Sequence, residues 1–92
     1  MASNFYIVAK KKRNQFLELR LFGDFDASSA CELINYLDES VNTSCKVIID
    51  TDGLRAIDGF GLSLFRPQLS KRNKLLADIE VVGRFGEVFR EE

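Results

Sequence analysis

VIIDTDGLRAIDGFGL, residues 47–62, carries the signals of a strand, a loop and a helix start within sixteen positions. Val47-Ile48-Ile49-Asp50 is a continuous apolar run closed by a carboxylate, of the kind found in a strand covered on both faces, and it predicts a central, parallel β-strand beginning at Lys46. Asp50-Thr51-Asp52-Gly53 reads as a loop, and Leu54 to Ile57 leads on to Asp58. Asp58 can cap a helix from about Gly59 to Lys74, with Gly59 and Gly61 allowing a tight start.

Upstream, Phe5 to Ala9 reads as a short strand and Lys10-Lys11-Lys12-Arg13-Asn14 as a charged turn. The turn leads into FLELRLF, where Leu17, Leu19 and Leu21 alternate with Glu18 and Arg20. That pattern is a hairpin with one buried face. Gly23-Asp24-Phe25-Asp26 interrupts the alternation, and Asp26 can cap a helix in which Ala30, Leu33, Ile34, Leu37 and Val41 recur at helical spacing. Downstream, DIEVVG gives a fourth strand, and Phe85, Val88 and Phe89 mark a short last helix. The expected order is β-β-α-β-α-β-α: one α/β domain over residues 1–92, with a mixed four-stranded sheet whose strands two to four run parallel through right-handed crossovers.

Ninety-two residues, 46% of them hydrophobic, suit one small domain that folds alone and buries somewhat over ~60% of its unfolded surface. Thirteen basic against fourteen acidic residues give a net charge of −1, which lacks the electrostatic footprint of a nucleic-acid binder. The beginning of the chain lacks a signal-peptide run and no stretch is long and apolar enough to span a bilayer, so a cytoplasmic protein without membrane insertion is expected. Cys31 and Cys45 are too few for a disulfide framework, and with no His there is no Cys/His metal pattern. Both read as free thiols, and no cofactor is expected.

Ligands of open α/β sheets bind outside the carboxyl ends of the parallel strands. Asp24, Asp26, Asp50, Asp52 and Asp58 all fall towards that edge. One reading is a degenerate receiver-like module that binds Mg2+ through Asp50 and its neighbours; the plainer one makes Asp26 and Asp58 helix caps and the rest solvated loop residues. A phosphate cradle at Gly59–Gly61 is disfavoured, because a carboxylate about 4 Å from a phosphate charge costs ~4 kcal/mol at an effective dielectric of 20. No nucleophile stands beside a candidate base, so no catalysis is expected. In the second helix Leu62, Phe65 and Leu69 form a core stripe, while Phe60, Leu64 and Pro67 fall on the opposite face. That second apolar face is either covered by the last helix or offered to a partner, and Pro67 should kink the helix.

GDFD at residues 23–26, the Ala30/Leu33 helix and VIIDTDGLRAIDGFGL together resemble the STAS domain of bacterial anti-sigma-factor antagonists, stressosome subunits and sulphate-transporter tails. The resemblance implies a signalling module that acts by binding another protein: a kinase-type anti-sigma factor or, in the accessory STAS subunits of ABC-type lipid transporters, an ABC ATPase. A homodimer is also compatible with it. In switchable members the residue after the turn aspartate is a phosphorylated Ser or Thr; here it is Gly59, so no phosphorylation is expected there. The partner surface implied comprises Asp24, Asp26, Asp58, Gly59, Phe60, Gly61, Leu62, Leu64 and Pro67.

Overall fold

The computed structural model describes residues 4–12, 16–40, 46–75 and 78–90. Its elements are β1 (Tyr6–Lys12), β2 (Phe16–Phe25), α1 (Ala27–Ser40), β3 (Lys46–Ile57), α2 (Gly59–Leu75), β4 (Asp78–Val82) and α3 (Gly86–Arg90). The strands form one sheet in the order β1-β2-β3-β4, antiparallel between β1 and β2 and parallel from β2 to β4. The expected order and the mixed sheet are both present. The hairpin tip, Val41 and Cys45 lie outside the described residues, whereas Cys31 is an exposed free thiol.

The core lies on one side of the sheet. Leu17, Leu19 and Leu21 of β2, Val47 and Ile49 of β3, and Ile79 and Val81 of β4 are buried together with Ala30, Leu33 and Leu37 of α1, Leu62, Phe65 and Leu69 of α2, and Phe89 of α3. A ring cluster closes one end of it: Phe25, Phe65 and Phe89 meet edge-on at centroid distances of 4.9 to 5.7 Å. Such pairs contribute ~0.5–1.5 kcal/mol each beyond their burial.

Several expectations require correction. Val47-Ile48-Ile49 is central and parallel but not covered on both faces: Val47 and Ile49 are buried, whereas Ile48 is only half-buried on the opposite face. An apolar residue at every position conceals the period of two that the burial follows. Lys10 to Lys12 belong to β1, opposite Glu18, Leu17 and Phe16, and not to the turn. As an edge strand, β1 carries these lysines where they discourage pairing with another chain.

β3 also continues to Ile57 and β2 to Phe25, through register shifts between Arg20 and Phe22 and between Gly23 and Asp24. The loop expected at residues 50–53 is therefore a bulged strand. At the first shift Phe22 faces Gly53, and a Cβ there would lie 2.5 Å from the Phe22 ring. Gly23 has φ +91°, and a Cβ on it would sit 2.4 Å from the Asn4 carbonyl oxygen. These glycines hold the irregular end of the sheet, from which both long helices start.

Candidate functional site

The two long helices begin side by side, each directly after an aspartate. At α1 the backbone N–H of Ser29 donates to Asp26 Oδ1 at 2.9 Å, so Asp26 caps the helix as expected. The buried Ser29 hydroxyl lies 2.8 Å from the Asp24 carbonyl and 3.0 Å from Asp26 Oδ1, sharing its one proton between two acceptors. These hydrogen bonds, the backbone one foremost, hold the Asp26 carboxyl below its ordinary value.

At α2 the backbone of Asp58 is fixed at both ends: its N–H donates to the Phe25 carbonyl at 2.8 Å, and its carbonyl accepts from the Leu62 N–H at 3.2 Å. Its carboxylate, however, takes no hydrogen bond or ion pair among the described residues. Asp58 occupies the cap position without making the side-chain cap that the sequence suggests. The two glycines differ as well. A Cβ on Gly61 would lie 2.8 Å from the Asp26 backbone, so this glycine allows the two helix starts to touch. A Cβ on Gly59 would meet nothing within 4 Å. Gly59 is not required by the turn.

The second apolar face of α2 is not covered by the last helix. Phe60 is 64% exposed and Leu64 38%, and Ser63 and Pro67 are also exposed. α2 runs through Pro67 without a break. α3 packs on the other flank, where the Arg66 guanidinium donates twice to the Val88 carbonyl, at 2.7 and 3.0 Å, and Phe89 meets Phe65. Leu62, by contrast, is buried in the core. Asp58, Gly59, Phe60, Ser63, Leu64 and Pro67 are all exposed along the start and outer face of α2.

Asp24 is held by a residue that residue pattern does not single out. Arg55, on the extended part of β3, donates to both Asp24 carboxylate oxygens at 3.1 Å. Only the true length of β3 brings Arg55 opposite the end of β2. The remaining two carboxylates are occupied elsewhere: Asp50 accepts from the Asp52 N–H at 2.9 Å, and Asp52 accepts from the Arg84 N–H at 2.7 Å. Thr51, fully buried between them, donates to the Val82 carbonyl and accepts from the Phe85 N–H. Asp52 thus serves the β4–α3 connection and Asp50 the bulged strand itself, and the five aspartates are divided among separate local roles. Among the described residues no three His, Cys, Asp or Glu side chains group as metal ligands. A receiver-like module would also need a doubly wound sheet with helices on both faces; the core on one side of the sheet overturns that reading.

Among the described residues no helix is long and apolar enough to cross a membrane. A search of curated proteins gives no significant match. A solved structure described as an antisigma-factor antagonist, STAS domain from Rhodobacter sphaeroides, superposes with a TM-score of 0.64 at 15% identity over 85% of each chain. The family model for the STAS domain matches residues 6–90. The chain belongs to the STAS domain family.

Proposed function

We propose that this STAS domain is a non-catalytic module that binds another protein through the N-terminal turns of α2, without a phosphorylation switch at residue 59. The observation that carries the reading is the exposed Phe60, seated one helical turn from the exposed Leu64 and flanked by Asp58 and Pro67. A large ring held out on a rigid helix start loses little conformational freedom on docking, and aromatic side chains are enriched among the residues that dominate interfaces. Gly59, next to it, offers no hydroxyl. The partner contacts extend to Asp24 and Asp26 at the adjoining ends of β2 and α1.

The likeness to an antisigma-factor antagonist favours an anti-sigma factor of the kinase type as the partner, bound constitutively. Affinity purification from the native host tests this choice: a GHKL-type kinase among the bound proteins supports it, and an ABC ATPase assigns the accessory role instead. With the partner in hand, Phe60→Ala should weaken binding by ~2 kcal/mol or more with the melting temperature unchanged. Gly59→Asp should weaken it at least as much, by adding a second negative charge beside Asp58. Normal affinity in both folded variants would move the interface elsewhere.

A further inference from the structure

The sheet face that none of the described helices covers is organised in rows. With Leu17, Leu19 and Leu21 turned to the core, the pairing registers place Tyr6 and Phe22 in one row across the open face. Val8, Arg20, Asp50 and Val82 form the next, and Lys10, Glu18, Ile48 and Glu80 the one after it. Tyr6 and Phe22 stack at 4.9 Å with an interplanar angle of 9°, and Tyr6 and Val8 are exposed. Charge is divided across the face. The β1–β2 half carries Lys10 and Arg20 against Glu18, and the β3–β4 half carries Asp50, Asp78 and Glu80 against Lys46.

We propose that this face docks a second copy of the chain, about a two-fold axis parallel to the strands between β2 and β3. Such an axis lays β1 of each copy over β4 of the other and β2 over β3, and keeps the rows in step. Lys10 then faces Glu80, Arg20 faces Asp50 and Val8 faces Val82, each twice by symmetry. Within one chain Arg20 makes only a long ion pair among the described residues, 3.7 Å to Glu18. A depression of about 340 Å³ lined by Arg20, Phe22, Asp50, Asp52 and Gly53 leaves room for the opposite guanidinium. The alternative axis, perpendicular to the strands, sets β1 over β1 and β4 over β4 and so brings like charges together. The small angle at which twisted sheets stack preserves the pairing near the axis. Strands about 4.8 Å apart make the face roughly 400 Å² per copy, below the ~800 Å² per partner of a standard stable interface. The dimer is therefore weak, reversible and sensitive to salt.

Sedimentation equilibrium over a wide concentration range, with amide shifts followed on dilution, tests the proposal. Wild type should show a reversible dimer that salt weakens, with shifts concentrated at Val8, Arg20, Ile48 and Val82 and unaffected by Phe60→Ala. Lys10→Glu alone and Glu80→Lys alone should each lower the dimer constant about tenfold or more, since each creates two like-charge contacts at the two-fold. Mixing the two single variants should restore it, because both contacts in the mixed pair become Glu–Lys or Lys–Glu. A monomer at every concentration overturns the proposal. So does a dimer that neither single variant weakens, or one whose shifts centre on Phe60 and Leu64.

Discussion

Helices α1 and α2 start next to each other, each one residue after an aspartate that follows a strand, yet the two starts are built to different ends. At α1 the carboxylate of Asp26 closes on Ser29, and the first turn is consumed by the fold. At α2 the Asp58 backbone is fixed but its carboxylate is not engaged by the described residues, Gly59 borders open space, and Phe60 stands exposed. The first helix start satisfies its own cap; at the second the described residues leave a carboxylate and an aromatic ring exposed. A helix start that neglects its own cap while holding its backbone rigidly is suited to contact, because its groups are placed without being used.

Removing one ring from each face of α2 separates the two faces most strongly. Phe65 is fully buried and meets Phe25 and Phe89 edge-on, so Phe65→Ala should cost ~3–5 kcal/mol in chemical denaturation, a large share of the stability of a domain this size. Phe60→Ala should change it by less than about 0.5 kcal/mol. Comparable losses would mean that Phe60 belongs to the core and that the outer face of α2 is not a contact surface.

The glycines give the next contrast. Gly61→Ala drives a methyl against the Asp26 backbone, which cannot move aside as a flexible side chain would, and should destabilise by ~1–3 kcal/mol. Gly59→Ala, at a position with space and without positive φ, should stabilise by ~0.4–1 kcal/mol by restricting the unfolded chain. Thermal melts of the two variants decide it. A gain at residue 59 would also show that a hydroxyl-bearing residue fits there and that its absence is not a demand of the fold.

Much of this was legible from residue pattern. The alternation of Leu17, Leu19 and Leu21 and the helical spacing of Ala30, Leu33 and Leu37 mark buried faces, and both are buried as marked. The sheet order follows from the run of strands and helices. What eluded the sequence was geometry that neighbours impose on locally ambiguous residues. Asp50-Thr51-Asp52-Gly53 has the composition of a turn, but Thr51 is held by the β4–α3 connection and the bulge opposite Phe22 carries β3 on to Ile57. Arg55 consequently carries no local sequence signal as the partner of Asp24. Asp58 looks like a cap because its residue type and place are right. Whether a carboxylate turns inward depends on a rotamer that periodicity does not encode.

The smallest effect distinguishes the two aspartates directly. The hydrogen bonds from Ser29 depress the Asp26 carboxyl in the folded protein, so its contribution is fully present above the unfolded carboxylate value, ~3.9. It is lost as the pH falls through the depressed folded value. Asp26→Ala should therefore lower the melting temperature at pH 7, and the gap from the parent protein should close on acidification below about pH 4. Asp26→Asn keeps an acceptor oxygen and should recover part of the loss. At residue 58 no side-chain hydrogen bond to the described residues stands to be lost, and what remains is the attraction of a carboxylate to the positive end of the helix. Asp58→Ala should consequently shift the melting temperature less than Asp26→Ala at neutral pH, and added salt should reduce even that shift. An Asp58→Ala loss as large and as acid-dependent as that of Asp26→Ala would show that Asp58 caps α2 in solution. In that case the two helix starts would be alike, and the carboxylate would be withdrawn from the surface offered to a partner.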